Sequence, residues 1–480
     1  MTLVPRPLQS VLLVNPPLDL EARSGPLAAA AGRALPYGLL SLAAVLREAG
    51  HPVRFLDAEN LDLSPDAAVA SILADAADVV GFTTVTQSVD ITAAMAARVK
   101  ANRPDLLILA GGPHLSSVPL ETMERFPGFD IGVIGEGEHI LLELLRAVRE
   151  GMPLEAVKGL VVRTPNGLLK TPRPRPIEDL DALPMPAWDL APGFPGNYRP
   201  SAPSYLRLPS ATLITSRGCT GRCLFCNSKA LHGRLRRISA DRVLEMVEDL
   251  QTRYGIRDLS IYDDNFVSDA ERLEAFCRGL LDRRIDLTWS CYSRVDQGTP
   301  ELFRLMKKAG CWQISYGIES GSQRILDFLK KDVTLEQIKV AVAATHGAGI
   351  KTRGFFMIGH LTETEETIRE SMDLLLKLPL DDFHFTAFTP LPGTAAYRLA
   401  PAHGAFDPTW SRMNLQNTVF VPHGLTAELL DHYTRVAYRK FYFRPRILWA
   451  YTKTLFRNPA NVRRLAKGLR AVVTKIFTPA

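Results

Sequence analysis

Disulfides have little to be built from in this sequence. Six cysteines serve 480 residues, and three of them, Cys219, Cys223 and Cys226, stand within eight positions. That excludes the disulfide framework of a small secreted domain and points to a metal site in a reducing compartment. No apolar run reaches 18 residues, which excludes a spanning helix. The opening "MTLVPRPLQSVLLVNPP" has a short apolar stretch and no small-residue cleavage site, so an export signal is not expected. The expected location is cytoplasmic. Acid is missing from one place: Lys440 to Ala480 holds ten Lys or Arg and no Asp or Glu. Set against +6 overall, those ten leave the rest of the chain at −4.

What is present is ordinary for a folded protein, with 46% hydrophobic and 22% charged residues, and the length suits two or three domains. Residues 1–150 alternate buried-strand patterns ("SVLLVNPP", "PVRFLDA", "DVVGFTTVT", "LLILAGGPH", "IGVIGEGE") with helical ones, and "EHILLELLRAVREG" closes the series. Five strands with helical crossovers predict a doubly wound parallel sheet of Rossmann-like type. Residues 151–204 are dense in Pro and Gly and read as a linker on the surface. From 205 to 390 a second alternation runs six times, with strands expected at 211–216, 258–264, 286–293, 311–318, 350–358 and 382–389. Ser and Thr stand at several helix starts. This is an α/β chain whose second part is a partial (β/α)6 barrel of TIM-like type, with ligands expected at the carboxyl ends of its strands. Residues 391–480 read as a helical, basic region.

The cysteines follow the first barrel strand as Cys-x3-Cys-x2-Cys. A structural zinc site takes four ligands, and the next cysteine, Cys277, is 51 residues on; His232 is a fourth ligand on spacing alone. A fully ligated four-iron cluster takes four cysteines, so three leave one iron open. Cys277, Cys291 and Cys311 are too scattered for a second cluster and read as buried apolar residues.

This motif, with Phe225 before its third cysteine, resembles that of the radical S-adenosylmethionine enzymes over about 205–390. The resemblance implies a [4Fe–4S] cluster on Cys219, Cys223 and Cys226, whose open iron is chelated by S-adenosylmethionine. Reductive cleavage there yields a 5′-deoxyadenosyl radical. The resemblance also suggests cofactor contacts for Phe225, for Asp263 and Asp264 of "YDDNF", for Arg294 of "YSRVD" toward the methionine carboxylate, and for Glu319 and Ser320 of "YGIESGS". Asp263 and Asp264 equally suit a helix cap, and Arg294 equally suits a pair with Asp296. Relatives tend to continue the fifth strand Gly-Leu-Pro-Gly-Glu-Thr, where this chain reads "IGHLTET". His360 is there either an acid–base group or a surface residue on an altered turn.

In residues 1–150 the strand ends carry "NPP", "TTVTQS", "AGGPH" and "GEGEH", glycines that let a bulky ligand approach the backbone. None fits Gly-x-Gly-x-x-Gly with an acidic residue about 20 positions on, which disfavours a nicotinamide cofactor. Together with the cysteine motif the set resembles the cobalamin-binding subclass of radical S-adenosylmethionine enzymes, over most of residues 10–390. The Asp-x-His-x-x-Gly motif is missing, so the resemblance implies cobalamin held without a protein histidine. The contacts carried over are Asn15, Thr84, Thr86, Gly111, Gly112, Gly135 and Glu136; their bland alternative is a set of tight βα turns.

Most enzymes resembling this subclass are methyltransferases, so methylation of an unactivated carbon through methylcobalamin and the deoxyadenosyl radical is expected. Oxidative cyclisation or ring rearrangement without methyl transfer is the alternative, and a cobalamin-binding sensor with an inactive barrel is a reading from another class. The implied partners are a small-molecule substrate and an external electron donor of flavodoxin or ferredoxin type. The basic, apolar tail 440–480 reads either as a helical cap or as a peripheral contact with the inner membrane face, which would suit a hydrophobic or lipid-like substrate. Nucleic acid is disfavoured by the large apolar residues among its charges.

Overall fold

Runs of Val, Ile and Leu bounded by Pro, Gly and Asn become buried parallel strands, because no face of such a run is fit for water. In the computed structural model, which describes residues 10–18, 23–25, 28, 31–201, 204–449, 470 and 473–476, they build two compact units. The first comprises Leu35–Asn197, Asn227–Arg236 and the N-terminal strand; the second comprises Tyr198–Cys226 and the chain from Arg237 onward, with Leu20–Ala34.

The first unit is a seven-stranded sheet in the order β2-β1-β3-β4-β5-β6-β7. Strands β1 (Val11–Asn15), β2 (Val53–Asp57), β3 (Val79–Thr83), β4 (Leu107–Gly111) and β5 (Ile131–Val133) run parallel. Period-2 alternation divides β1 between two cores. Val11 and Leu13 pack with helices Tyr37–Glu48 and Gly137–Glu150. Leu12 and Val14 pack with helices Pro65–Ala74 and Val89–Asn102 on the other face. Burial of each such side chain stabilises the unit by about 1.5–3 kcal/mol. Helices on both faces are what doubly wound connectivity requires.

The stretch 151–204 was expected to be a linker, yet it supplies β6 (Leu160–Thr164) and β7 (Gly167–Lys170), antiparallel additions to the sheet edge. The physical reason is its "TPNG" turn: Thr164 pairs with Gly167, whose φ of +110° is one that glycine tolerates, and Val161 and Val162 are buried. Proline density around the hairpin masked it.

The second unit is a six-stranded open sheet of parallel strands in sequential order. These are β8 (Ser210–Leu213), β9 (Asp258–Ile261), β10 (Thr288–Ser293), β11 (Cys311–Glu319), β12 (Lys351–Ile358) and β13 (Asp382–Ala387). The caps read from sequence form. Ser239, Thr299, Thr334 and Thr364 each accept a backbone N–H three residues on, with Pro300 at the first helical position and a reciprocal box at Thr334–Gln337. On β11 the side chains of Ser315 and Gly317 are small, so Tyr292 of β10 stacks on Phe355 of β12 across it, ring centroids 5.8 Å apart. Cys277, Cys291 and Cys311 are buried as expected, and burial pushes the Cys277 and Cys311 thiols upward in pKa.

Helix Ala427–Tyr442 covers β13, placing Tyr438 and Phe441 within 4.7 and 4.6 Å of the Phe383 ring. The basic stretch begins by packing rather than by facing solvent. Arg444 lies 3.9 Å over Phe441, and Arg446 donates to the Leu380 carbonyl at 2.6 Å. Most of 440–480 lies outside the described residues. Among the described residues no helix is long and apolar enough to cross a membrane.

Candidate active site

The cysteine loop leaves β8 and is pinned by two backbone bonds, Cys226 N–H to the Cys223 carbonyl (3.1 Å) and Leu224 N–H to the Leu329 carbonyl (2.9 Å). Phe225 turns into an apolar cluster with Ile325, Leu329, Leu361 and Phe388. That contact anchors the loop between its second and third thiols. None of the three cysteines is in a disulfide. A Cβ on Gly221 would lie 3.5 Å from Cys219 Sγ, 3.7 Å from Cys223 Sγ and 3.3 Å from Arg294 Nη1. Glycine there keeps open the gap that two thiols and a guanidinium border. Burial raises the pKa of Cys223, with Lys331 and Arg294 pulling the other way.

Among the described residues no three His, Cys, Asp or Glu side chains converge as a single metal ion requires. Three cysteines outside any disulfide on one loop, beside the buried cations Arg294 and Lys331, suit an anionic inorganic group, so the residues present fit an iron–sulfur cluster.

Around the loop the strand ends carry the residues expected from sequence. Asp263 is 1% exposed and both its oxygens are occupied: Oδ1 accepts Thr215 N–H at 2.5 Å and Oδ2 accepts Thr215 Oγ1–H at 2.6 Å. It ties the end of β9 to the end of β8, rather than capping a helix, and burial raises its pKa. Asp264 is exposed. Asn265, absent from the sequence reading, is buried; its Oδ1 accepts the Arg294 N–H at 3.2 Å and its Nδ2 has no partner.

Arg294 makes the pair with Asp296 that sequence left open, Nε–Oδ1 3.0 Å and Nη2–Oδ2 2.9 Å, and Nη2 also donates to the Lys331 carbonyl at 2.9 Å. Glu319 lies at φ +70°, a left-handed conformation that costs a non-glycine residue about 1–3 kcal/mol. Its Oε1 accepts from Lys331 Nζ at 2.9 Å, deep in the barrel. Ser320 is fully buried and bonds Ser371 Oγ at 3.1 Å, while Ser371 also accepts Gly321 N–H at 2.8 Å. Lys331 escaped notice because "LKKD" offers two lysines and no periodicity separates the exposed Lys330 from the buried one.

His360 is 1% exposed, which removes the surface alternative. Burial pushes its pKa down to about 4, so the ring is neutral near pH 7, with Nε2 3.4 Å from the Glu319 carbonyl. Close by, Glu363 accepts the N–H groups of Gly359 and His360. Burial nonetheless pushes its pKa up to about 8. The unfolded carboxyl ionises near 4.5, so this group favours folding fully at low pH, and its contribution fades as pH rises to about 8. In chemical denaturation at stepped pH, wild type is expected to lose up to about 1.4 kcal/mol per unit from this group across that window. Glu363→Gln should lack that component; parallel curves for the two proteins would contradict it.

The first unit carries the other expected residues. Asn15 Nδ2 donates to Asp57 Oδ1 at 2.8 Å. Thr84 is buried and locks the β3 end to β4, its N–H and Oγ1–H both donating to the Gly111 carbonyl (2.8 and 2.7 Å). Thr86 Oγ1 lies 3.1 Å from His114 Nδ1, and burial pushes the pKa of that histidine down to about 4. Gly112, φ +94°, has Thr84 backbone atoms 2.8 Å from where a Cβ would stand. Gly135, φ +96°, has nothing within 4 Å of its own Cβ position. Positive φ serves turn closure at Gly112; at Gly135 the open space is what a ligand lying on the backbone needs. Glu136 is engaged by the buried Arg236, Oε1–Nη2 2.5 Å and Oε2–Nη1 2.9 Å. The strand-end turn at Gly135 leaves its backbone open on the side where a Cβ would stand, which fits a group lying against the backbone there.

Comparison with known proteins agrees with both sites. The B12 binding domain model matches residues 23–145, and the radical SAM superfamily model matches residues 213–375. An "uncharacterized methyltransferase" of Pyrococcus horikoshii is 32% identical over 476 residues, covering 97% of this chain and 99% of that protein. The anaerobic magnesium-protoporphyrin IX monomethyl ester cyclase of Rubrivivax gelatinosus is 28% identical over 438 residues, covering 88% of this chain and 76% of its own. Among solved structures, OxsB, a cobalamin-dependent S-adenosylmethionine radical enzyme with aqua-cobalamin and S-adenosylmethionine bound, aligns with a TM-score of 0.73 at 19% identity. That match covers 93% of this chain and 71% of OxsB and is a likeness of fold. With a cysteine loop fitted to a cluster, a glycine-turned sheet matched by a B12-binding model and a relative alike along almost its whole length, the chain belongs to the cobalamin-binding radical S-adenosylmethionine enzymes, whose cofactors are a [4Fe–4S] cluster, S-adenosylmethionine and cobalamin.

Proposed function

We propose that this enzyme is a methyltransferase acting on an unactivated carbon of a small molecule. The observation that carries the reading is the methyltransferase of Pyrococcus horikoshii, alike over 97% of the chain. When bound, the cluster supplies a low-potential electron for cleaving S-adenosylmethionine, and cobalamin supplies a carrier for a methyl group. The chain's own residues have these roles. Cys219, Cys223 and Cys226 hold the cluster, and Gly221 keeps the adjoining gap clear. Arg294, fixed by Asp296, offers Nη1 to the methionine carboxylate. Asn265 Nδ2, buried and unpartnered, is a second donor beside it. Asp263 and Ser320 act by holding strand ends. Asn15, Thr86, Gly111, Gly112 and Gly135 would line the cobalamin site, and the Asp-x-His-x-x-Gly motif that would offer it a histidine is missing from the sequence. An external one-electron donor completes the system.

The cyclase of Rubrivivax gelatinosus supports a second reading, radical cyclisation without methyl transfer. One experiment separates them. Anaerobic protein loaded with cluster and cobalamin is given S-adenosylmethionine carrying a labelled methyl group, a reductant and candidate substrates. Methyl transfer yields S-adenosylhomocysteine only when cobalamin is present, together with 5′-deoxyadenosine and label in product. Deoxyadenosine with no S-adenosylhomocysteine rejects methylation in favour of cyclisation, and neither product with cobalamin still bound leaves a cobalamin sensor.

A further inference from the structure

The barrel sheet meets its helices on one face. Trp289 of β10 packs on Phe276 of helix Ala270–Asp282, and Tyr316 of β11 bonds Thr345 of helix Leu335–Gly347 at 2.7 Å. Phe383 of β13 packs on helix Ala427–Tyr442, and Phe356 of β12 meets Phe385, two residues on from Phe383. Side chains alternate across a strand, so Tyr292, Phe355 and His384 stand on the opposite face. With Tyr262 they form one row there. Ring centroids are 5.4 Å apart from Tyr262 to Tyr292, 5.8 Å from Tyr292 to Phe355 and 5.5 Å from Phe355 to His384, the last two pairs nearly parallel at 18° and 26°. All four rings are partly exposed, whereas their strand neighbours Cys291, Phe356 and Phe383 are sealed.

Below the row the same face is closed. Two residues back from Phe355 and His384 stand Arg353 and Asp382, both buried and joined at 2.8 Å. Arg353 Nη1 also donates to Ser204 Oγ at 3.2 Å, and the Tyr442 hydroxyl donates to Asp382 Oδ1 at 2.5 Å. Two residues on from Tyr292 and Gly317 stand Arg294 and Glu319, at the strand ends beside the cysteine loop. The space left against the rings therefore opens toward the end of the barrel that carries the loop. A barrel lumen filled with branched aliphatic side chains seals itself, and this layer does not. Among the described residues the His384 imidazole makes a ring contact with Phe355 and no hydrogen bond. Burial and the Arg353 charge push its pKa down to about 4, so near pH 7 the neutral ring has one donor and one acceptor nitrogen.

We propose that this row is the wall against which the substrate lies, and that the substrate carries a planar aromatic ring with a hydrogen-bonding substituent, held by ring contacts with Tyr292 and Phe355 and by the imidazole of His384. Aromatic edges are positive and faces negative, so a row of rings favours a planar π-system over a saturated skeleton of the same size. The inference rests on the reading of the chain as an enzyme acting on a small molecule. No bond is made or broken at the wall; its residues select the molecule and set how it stands below the strand ends.

The probes are 2-naphthol, a planar ring pair with one hydroxyl, and decahydro-2-naphthol, its saturated counterpart. Binding to the full-length, reconstituted protein is read by ligand-observed NMR titration without reductant. Wild type is expected to bind 2-naphthol about tenfold more tightly than the saturated alcohol. Phe355→Leu, which keeps an apolar side chain but no ring, should bind the two about equally. His384→Leu should weaken 2-naphthol by about fivefold through the lost hydrogen bond. Equal binding of both probes by wild type, no binding of 2-naphthol at millimolar concentration, or a Phe355→Leu variant with the wild-type preference overturns the proposal. Saturating S-adenosylmethionine should leave 2-naphthol bound; displacement would make the wall the seat of the cofactor's adenine and overturn the substrate assignment. Should Phe355→Leu not fold, His384→Leu, a change at a partly exposed position on the edge strand, decides: weakened 2-naphthol binding supports the wall and undiminished binding refutes it. The readout is independent of methyl transfer. Protein that forms S-adenosylhomocysteine yet ignores 2-naphthol rejects the wall alone, and protein that shows the ring preference yet forms no S-adenosylhomocysteine rejects the methyltransferase reading and keeps the wall.

Discussion

Cys223→Ala protein, reconstituted with iron and sulfide, is expected to lose its cluster and with it all measurable 5′-deoxyadenosine. Cys223 is the middle thiol of the loop. It borders the gap at Gly221 with Cys219, and it is the thiol on which both buried cations act. No substitute stands near, since among the described residues no further group of metal-binding side chains gathers there and Cys277, Cys291 and Cys311 are sealed in the core. Removing a partner that merely orients a ligand costs about 10–100-fold in metal affinity, so removing a ligand from a set of three should cost more. Iron content, the cluster's absorption band and deoxyadenosine should fall together. The fold should survive: the loop's N–H of Leu224 still reaches Leu329, and Phe225 still packs on Leu361 and Phe388. Near-wild-type circular dichroism with absent cluster is therefore the expected pair of results. A Cys223→Ala variant with full iron content and undiminished deoxyadenosine would refute the three-cysteine assignment.

The strands were legible because burial on both faces leaves only apolar residues in them. Residues 311–318 and 350–358 were expected, and Cys311–Glu319 and Lys351–Ile358 were found. Helix starts were legible because a cap needs a short side-chain oxygen at a fixed place, as Thr299 and Thr364 provide. The cysteine loop was legible because its ligands are local in sequence. What escaped depends on distant partners. Lys331 and Lys330 look alike until Glu319 and Gly317 are brought beside one of them. Asp263 looked like a ligand because nothing in "YDDNF" names Thr215 as the partner of both its oxygens. Arg236 sat in "GRLRRIS", a run that reads as a solvated basic turn, while its carboxylate partner is 100 residues away.

That last pair gives the second large effect, a loss of stability in Arg236→Met of about 3–5 kcal/mol, the usual consequence of leaving one member of a buried pair alone. The Arg236 side chain is 4% and the Glu136 side chain 8% exposed. The guanidinium gathers three stretches of chain. It bonds both Glu136 oxygens after β5, the Ile177 carbonyl at 2.5 Å in the proline-rich stretch, and the His232 carbonyl at 2.8 Å in the segment following the cysteine loop. Glu136 closes the arrangement by accepting Ile177 N–H at 2.9 Å. Methionine has comparable length and no charge, so it abandons the carboxylate and the carbonyls of Ile177, His232 and Arg234 together. Equilibrium denaturation should show the midpoint falling in Arg236→Met and recovering substantially in the double variant Arg236→Met/Glu136→Gln, where no charge remains buried alone. The same series decides what Glu136 is for. An anchor predicts that Glu136→Gln lowers stability in the absence of cobalamin. A cofactor contact predicts unchanged stability of the apoprotein with weaker cobalamin binding. Because both carboxylate oxygens already have partners in the chain, the loss of apoprotein stability is the expected result.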